Sequence, residues 1–245
     1  MSGSETVVIT GFGPFRQFWV NPSWRAAQDL KLCGLGERIE VHIKEIPVSY
    51  VQSQHVIAEI WQTLNPKFVV HLGVARGCRV VILEQTAKNS GYRDRDVCGF
   101  CPESHCCVNE GPETLCSVVN MLPVSKLFRK SGMDVLCSRD AGRFLCEFTY
   151  YCSLYHGQGR AALIHIPTHG RLASADRLLP LLKSIIQTML SQMDDDGRAE
   201  VVYSPYEHTP QSKNMQRFPR GEMRVFEVVT VCVESVEMEH LMLMP

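Results

Sequence analysis

Residues 6–15 read Thr6-Val7-Val8-Ile9-Thr10-Gly11-Phe12-Gly13-Pro14-Phe15. A β-branched run without alternation predicts a strand buried on both faces, as in a parallel sheet. The glycine-rich segment that breaks it matches neither a Walker loop nor a dinucleotide fingerprint. Two phenylalanines beside glycines instead predict a loop presenting flat apolar faces, either to a ligand or to the core beneath it.

Beyond this stretch, Asn21 is a plausible cap for a helix over Pro22–Leu30, with Pro22 in its first turn. Ile39–Lys44 alternates apolar and polar, as a half-buried strand does. Val51–Leu64 carries apolar residues at helical spacing, and Phe68–Gly73 is a second buried strand. Arg79–Glu84 is another, ending on a carboxylate that is either solvated or partly buried with a partner. The strand–helix–strand–helix–strand order predicts an α/β fold of mainly parallel strands with helices on both faces. In such sheets ligands gather at the carboxyl ends of strands. The Gly11–Phe15 loop, the turn after Gly73 and the end of an Ala161–Ile166 strand are therefore expected at one edge.

Further along, Glu113–Val119 and Val124–Lys130 read as short helices and Asp134–Cys137 as a brief strand. Ser174–Met193 is an amphipathic helix with Leu178, Leu181, Leu182, Ile185, Ile186 and Met189 on one face. Ser174 can cap it, and Pro180 predicts a kink. After Met193 the composition changes. Ser204–Gly221 is polar with three prolines and reads as a linker or disordered segment, and Arg224–Glu234 regains strand character. The expected organisation is an α/β domain over residues 1–193 and a C-terminal extension over 194–245, partly disordered or loosely docked.

Composition narrows the function classes. The 26 acidic residues nearly cancel the 25 basic ones, and a net charge of -1 argues against a nucleic-acid binder that works by neutralising phosphates. No apolar run approaches the ~20 residues of a membrane span, and the first residues lack the pattern of a secretory signal. Eleven cysteines in a chain of this length, an odd count, read as reduced thiols in a cytoplasmic protein. Oligomeric state is not encoded in any pattern.

Chemistry is concentrated in Ser138–Tyr151. Asp140-Ala141-Gly142 is a polar turn leading into an aromatic run, so a helix can begin at or near Cys146. A cysteine at a helix start lies near the positive end of the helix dipole, which favours the thiolate. Downstream, His165 ends an apolar strand. That is the layout a Cys–His hydrolase needs, although a free cysteine is also a common small core residue. Residues 89–112 form a loop too long for an ordinary connection, and such loops are often functional. Cys98-Gly99-Phe100-Cys101 and His105-Cys106-Cys107 within it supply zinc-type ligands, but a second knuckle is missing, and reduced thiols are the preferred reading.

Taken together, Thr10–Phe15, Asn21-Pro22-Ser23-Trp24, His71-Leu72-Gly73, Leu83-Glu84, Asp140–Cys146 and His165-Ile166-Pro167 resemble the pyroglutamyl-peptidase I (pyrrolidone-carboxylate peptidase) family, nearest to its vertebrate 1-like form. The resemblance runs from about Val7 to about Met193. It implies a three-layer α/β/α sandwich with a mainly parallel, mixed sheet, and removal of N-terminal pyroglutamate from peptides. The implied catalytic set is Cys146, His165 and Glu84. The backbone N–H of Cys146 and the side chain of Arg93 would serve the oxyanion, with Phe12 and Phe15 sandwiching the lactam and Phe144 and Leu145 lining the pocket. Neither a metal nor an organic cofactor is implied. Val74, Val97 and Glu147 depart from the family pattern. A long acid directly after the nucleophile is expected to oppose thiolate formation, and the segment leading into it, Asp134–Arg139, is short. A catalytically silent relative that keeps the fold and binds a peptide or protein is the alternative reading.

Overall fold

A computed structural model describes residues 4–16, 18–75 and 77–196. The chain orders as β1 (Glu5–Phe12), α1 (Pro22–Cys33), β2 (Ile39–Ile46), α2 (Tyr50–Glu59, continued by a wider turn over Ile60–Leu64), β3 (Phe68–Val74) and β4 (Val81–Glu84). There follow β5 (Thr86–Lys88), β6 (Thr114–Cys116), α3 (Met121–Lys130), β7 (Val135–Ser138), α4 (Leu145–His156), β8 (Ala161–Ile166) and α5 (Ala175–Asp196). The central sheet runs β2-β1-β3-β8-β4-β7. The first four strands are parallel, β4 is antiparallel to β8, and β7 is parallel to β4.

Alternation along the strands sorts side chains into two cores. Val7, Ile9, Phe68, Val70, Leu72, Ala162, Ile164 and Ile166 pack with α1, α3 and α5. Val8, Val69, Ala161 and Leu163 pack with α2 and α4. The result is a three-layer α/β/α sandwich, as the sequence predicts.

Local chemistry explains the approach of α1 to the sheet. Asn21 Oδ1 accepts from the Ser23 N–H at 3.1 Å and from its hydroxyl, which caps the helix, while Asn21 Nδ2 donates to Gly13 C=O at 2.9 Å. The Ser23 hydroxyl in turn accepts from the Phe12 N–H. Gly11 permits this contact, because a Cβ there would lie 2.5 Å from the backbone of Ser23 and Trp24.

One element differs from the sequence reading. Glu113–Val119 is not a helix: Thr114–Cys116 pairs antiparallel with Thr86–Lys88 as a two-stranded ribbon, and Ser117 N–H continues onto Gln85 C=O. Burial over 115–119 alternates with period two, which is a strand pattern. Tertiary pairing decides the conformation of so short a segment. The Met193 boundary falls inside α5, which reaches Asp196. The expected linker Ser204–Gly221, the strand Arg224–Glu234 and most of the 194–245 extension lie outside the described residues.

Candidate active site

Three neighbouring strands and one helix build the site. His165 on β8 is in register with Gly73 on β3, and Glu84 on β4 is opposite Leu163, two residues along the same face. The side chains of Glu84 and His165 therefore meet on the α4 side of the sheet, where His165 Nδ1 donates to Glu84 Oε1 at 2.9 Å. Both groups are buried. From above, α4 brings Cys146 onto the same spot as the second residue of its first turn.

Gly73 makes room for this meeting. A Cβ at residue 73 would stand 2.9 Å from Cys146 Sγ, 3.0 Å from His165 Cδ2 and 3.3 Å from His165 Nε2. Burial by itself would lower the His165 pKa, but the Cys146 thiol and the Glu84 carboxylate, through hydrogen bonds and charge, raise it to about 10. The imidazole is thus held to the protonated form against desolvation.

The helix start adds donors. The first intrahelical bond at this end is Phe148 N–H to Phe144 C=O at 3.0 Å, so the amides of Leu145, Cys146 and Glu147 precede it. The same end carries the positive pole of the helix dipole.

Cys146 opens onto a cavity of about 140 Å³ whose walls include Phe12, Phe15, Val48, Val74, Phe144 and Leu145. Aromatic packing sets these walls. Phe144 stacks on Phe15 with centroids 5.6 Å apart and meets Tyr50 edge-on at 6.1 Å. Tyr50 and Tyr92 both rest edge-on against Phe148. Tyr50 is itself tied to the long loop, because Asp96 Oδ2 accepts its N–H at 2.9 Å and so caps α2 from 46 residues away. Asp96 Oδ1 also holds the Cys98 and Phe100 amides, and Asn89 anchors the same loop at Cys107, Val108 and Gly111.

Comparison with known proteins places this architecture. The family model described as pyroglutamyl peptidase matches residues 5–180. The pyroglutamyl-peptidase 1 of Mus musculus is 45% identical over 192 residues, 78% of this chain and 92% of that protein. The human pyroglutamyl-peptidase 1-like protein is 42% identical over 171 residues, 69% of this chain and 87% of that one. The chain belongs to the pyroglutamyl peptidase family. The pyrrolidone carboxyl peptidase of Thermococcus litoralis shares its fold, with a TM-score of 0.70 at 20% identity over 82% of this chain and all of that one.

Most of the residues singled out for a pyroglutamyl peptidase converge. Cys146, His165 and Glu84 form one cluster, and Phe12, Phe15, Phe144 and Leu145 line the adjoining cavity. Arg93 does not join them. It is exposed on the 89–113 loop and is absent from the cavity lining. Glu147 is buried and engaged away from the nucleophile. Its Oε1 accepts from the Lys88 N–H at 3.1 Å and its Oε2 from Arg143 at 2.6 Å. Burial pushes its carboxyl up to about 7, opposed by Arg143 and by the Lys88 amide. The short strand β7 pairs along its full length with β4, Val135–Ser138 against Val81–Glu84. In the cysteine-rich loop Cys101 and His105 approach at 3.6 Å, but no group of three metal-ligating side chains converges among the described residues.

Sequence reasoning missed Arg16, Phe18 and Val48, and the Thr168–His169 pair at the cavity, and it read Asn21 as a helix cap without placing it there. It also missed the support given by Tyr50, Tyr92 and Asp96. Asn21 and Asp96 carried a readable signal as turn and cap formers. The others are made relevant only by tertiary packing.

Proposed function

We propose that the chain is a cysteine omega-peptidase that removes N-terminal pyroglutamate from peptides, carried by the α/β domain that includes all of α5. The observation that supports this most directly is the Gly73 gap. There a thiol at a helix start, a histidine bonded to a buried carboxylate, and the mouth of a small apolar cavity come together. At about 140 Å³ the cavity is well below the ~300–1,000 Å³ of sites for drug-sized ligands. It suits a flat, neutral five-membered lactam held between phenylalanine faces.

In the reaction His165 takes the Cys146 proton, and the thiolate attacks the carbonyl that joins pyroglutamate to the next residue. The developing oxyanion faces the amide of Cys146 at the helix start, where one such donor is worth roughly 10²–10³ in turnover. Arg93, outside the cavity lining, is not among these donors. The imidazolium gives its proton to the leaving amine. Water, deprotonated by His165, then hydrolyses the thioester and releases pyroglutamate. Glu84 fixes the imidazole so that Nε2 faces the thiol, and stabilises its charged form. Every described cysteine is a free thiol, which supports a reducing, cytoplasmic setting. Among the described residues no helix is long and apolar enough to cross a membrane.

The test is release of a fluorescent amine from a pyroglutamyl-amide by the full chain under reducing conditions, beside Cys146→Ala. Turnover that disappears in the variant is the expected result. A folded wild-type protein without turnover would overturn the enzymatic reading in favour of a binding role.

A further inference from the structure

The cavity beside Cys146 is lined mainly by apolar side chains, with Arg16, Asn21, Thr168 and His169 among its few polar ones. Among its polar lining residues, Asn21 is bonded to Ser23 and Gly13, and Thr168 Oγ1 is bonded to His169 Nδ1 at 2.8 Å. Arg16 and His169 remain, both exposed. The Arg16 guanidinium lies over the Phe15 ring, 4.9 Å from its centroid, and makes no hydrogen bond or ion pair among the described residues. No carboxylate lines the cavity among the described residues.

The chemistry says which part of a substrate meets these groups. Phenylalanine faces take the lactam, and the leaving amine must reach the imidazole of His165 that protonates it. Thr168 and His169 continue the chain from the His165 strand, so the residue after pyroglutamate emerges beside them. A leaving residue bearing a carboxylate would meet two nitrogen-rich side chains and no acid among the described lining residues. A cationic one would meet the Arg16 charge.

Resting on the pyroglutamyl-peptidase reading above, we propose that Arg16 and His169 form a leaving-side subsite for a carboxylate. That carboxylate can be the side chain of an acidic residue following pyroglutamate, or the free α-carboxylate of a pyroglutamyl amino acid. An exposed guanidinium–carboxylate pair contributes modestly and is screened by salt. The preference is therefore a bias among substrates and not an absolute filter.

The experiment measures binding of four ligands to full-length Cys146→Ala at low and high salt. They are pyroglutamyl-glutamate amide, pyroglutamyl-alanine with a free carboxylate, pyroglutamyl-alanine amide and pyroglutamyl-lysine amide. The expected result is that at least one anionic ligand binds roughly two- to five-fold tighter than the neutral amide at low salt, with the lysine peptide weakest. Adding Arg16→Gln should collapse that ratio. If only the free-carboxylate ligand gains, the subsite reads a chain end; if only the glutamate amide gains, it reads residue identity. Equal binding of neutral and anionic ligands, or a ratio that survives Arg16→Gln, overturns the subsite. Wild-type hydrolysis of the neutral amide reports separately on the catalytic reading. Its absence with the binding ratio intact sinks catalysis alone, and failure of every ligand to bind sinks both.

Discussion

The two faces of the sheet bury different chemistry. Toward α1, α3 and α5 the buried strand side chains are aliphatic and aromatic, such as Ile9, Phe68, Leu72, Ile164 and Leu83, with the partly buried Cys137 beside them. Toward α4 the same strands carry His71, Glu84 and His165, each 5% exposed or less. Helix α4 answers with Cys146, Thr149, Tyr150 and Ser153. On this face His71 Nε2, Glu84 Oε2 and Thr149 Oγ1 find no hydrogen-bond partner among the described residues. A buried polar group without a partner costs about 1–3 kcal/mol. One face thus holds the sandwich together, and the other accepts an energetic penalty to fix reactive groups in place.

Glu84 on the polar face should give the largest effect. Glu84→Gln keeps the shape and removes the charge that stabilises imidazolium. We expect kcat to fall by roughly 10²–10⁴ with the fold retained. Unchanged kcat in a folded variant would remove Glu84 from the catalytic set. The opposite face should behave inversely. Leu182 on α5 is fully buried, and Leu182→Ala should cost about 2–5 kcal/mol in denaturant unfolding. The kcat per folded molecule should stay at the wild-type value. A large kcat loss there would mean that the division of labour is wrong.

Gly73→Ala probes the gap itself. The new methyl would press on Cys146 Sγ at 2.9 Å and on the imidazole at 3.0 Å. A displacement of ~1 Å in a reacting group can cost ~10²-fold in rate. We expect a kcat loss of that order with little change in melting temperature. Wild-type kinetics would show that the nucleophile and base have more slack than their packing implies.

How much of this was legible in the sequence follows the range of the interactions. Strands β1, β3 and β8 were readable because burial on both faces leaves continuous apolar runs. The α5 stripe was readable because 3.6-residue spacing is local. Cys146, His165 and Glu84 sat at the ends or starts of such elements, but their convergence depends on β4 running against β8, which no local pattern specifies. Thr114–Cys116 was misread because its partner, Thr86–Lys88, lies 28 residues away in the chain. The Asp96 cap on α2 and the Phe144 stack on Phe15 are likewise contacts between distant segments, visible only once the sheet is assembled.

Two histidines on the polar face titrate in opposite senses. Desolvation holds His71 down to about 3, and it bonds Thr10 Oγ1 through Nδ1 at 2.7 Å. Stability tied to neutral His71 is present above 6.5 and lost as pH falls through about 3, because the unfolded chain binds that proton first. His165 has the opposite sign. Its contribution is complete below 6.5 and lost as pH rises through about 10. Urea midpoints across this range should therefore fall on both sides of neutrality. Cys146→Ala should flatten the alkaline limb alone, since it removes one of the groups that raise the His165 pKa. An unaltered alkaline limb would show that the thiol does not govern the His165 proton.

The smallest expected effect is at Tyr150, one helical turn beyond Cys146. Its hydroxyl donates to Glu84 C=O at 3.0 Å, so a single side chain joins the nucleophile helix to the strand that carries the acid. Tyr150→Phe deletes that bond and leaves Glu84 C=O without this donor, for a stability loss of about 0.5–1.5 kcal/mol. If the bond only holds helix to sheet, kcat should be unmoved once the enzyme is folded. If it also sets the Glu84 position, kcat should drop several-fold at constant KM, and the alkaline limb of the stability profile should shift with it. The second outcome is expected, because the Glu84 carboxylate has one hydrogen bond among the described residues, so its position also depends on its backbone, which is held by pairing with Ser138 and Leu163 and by the Tyr150 hydroxyl.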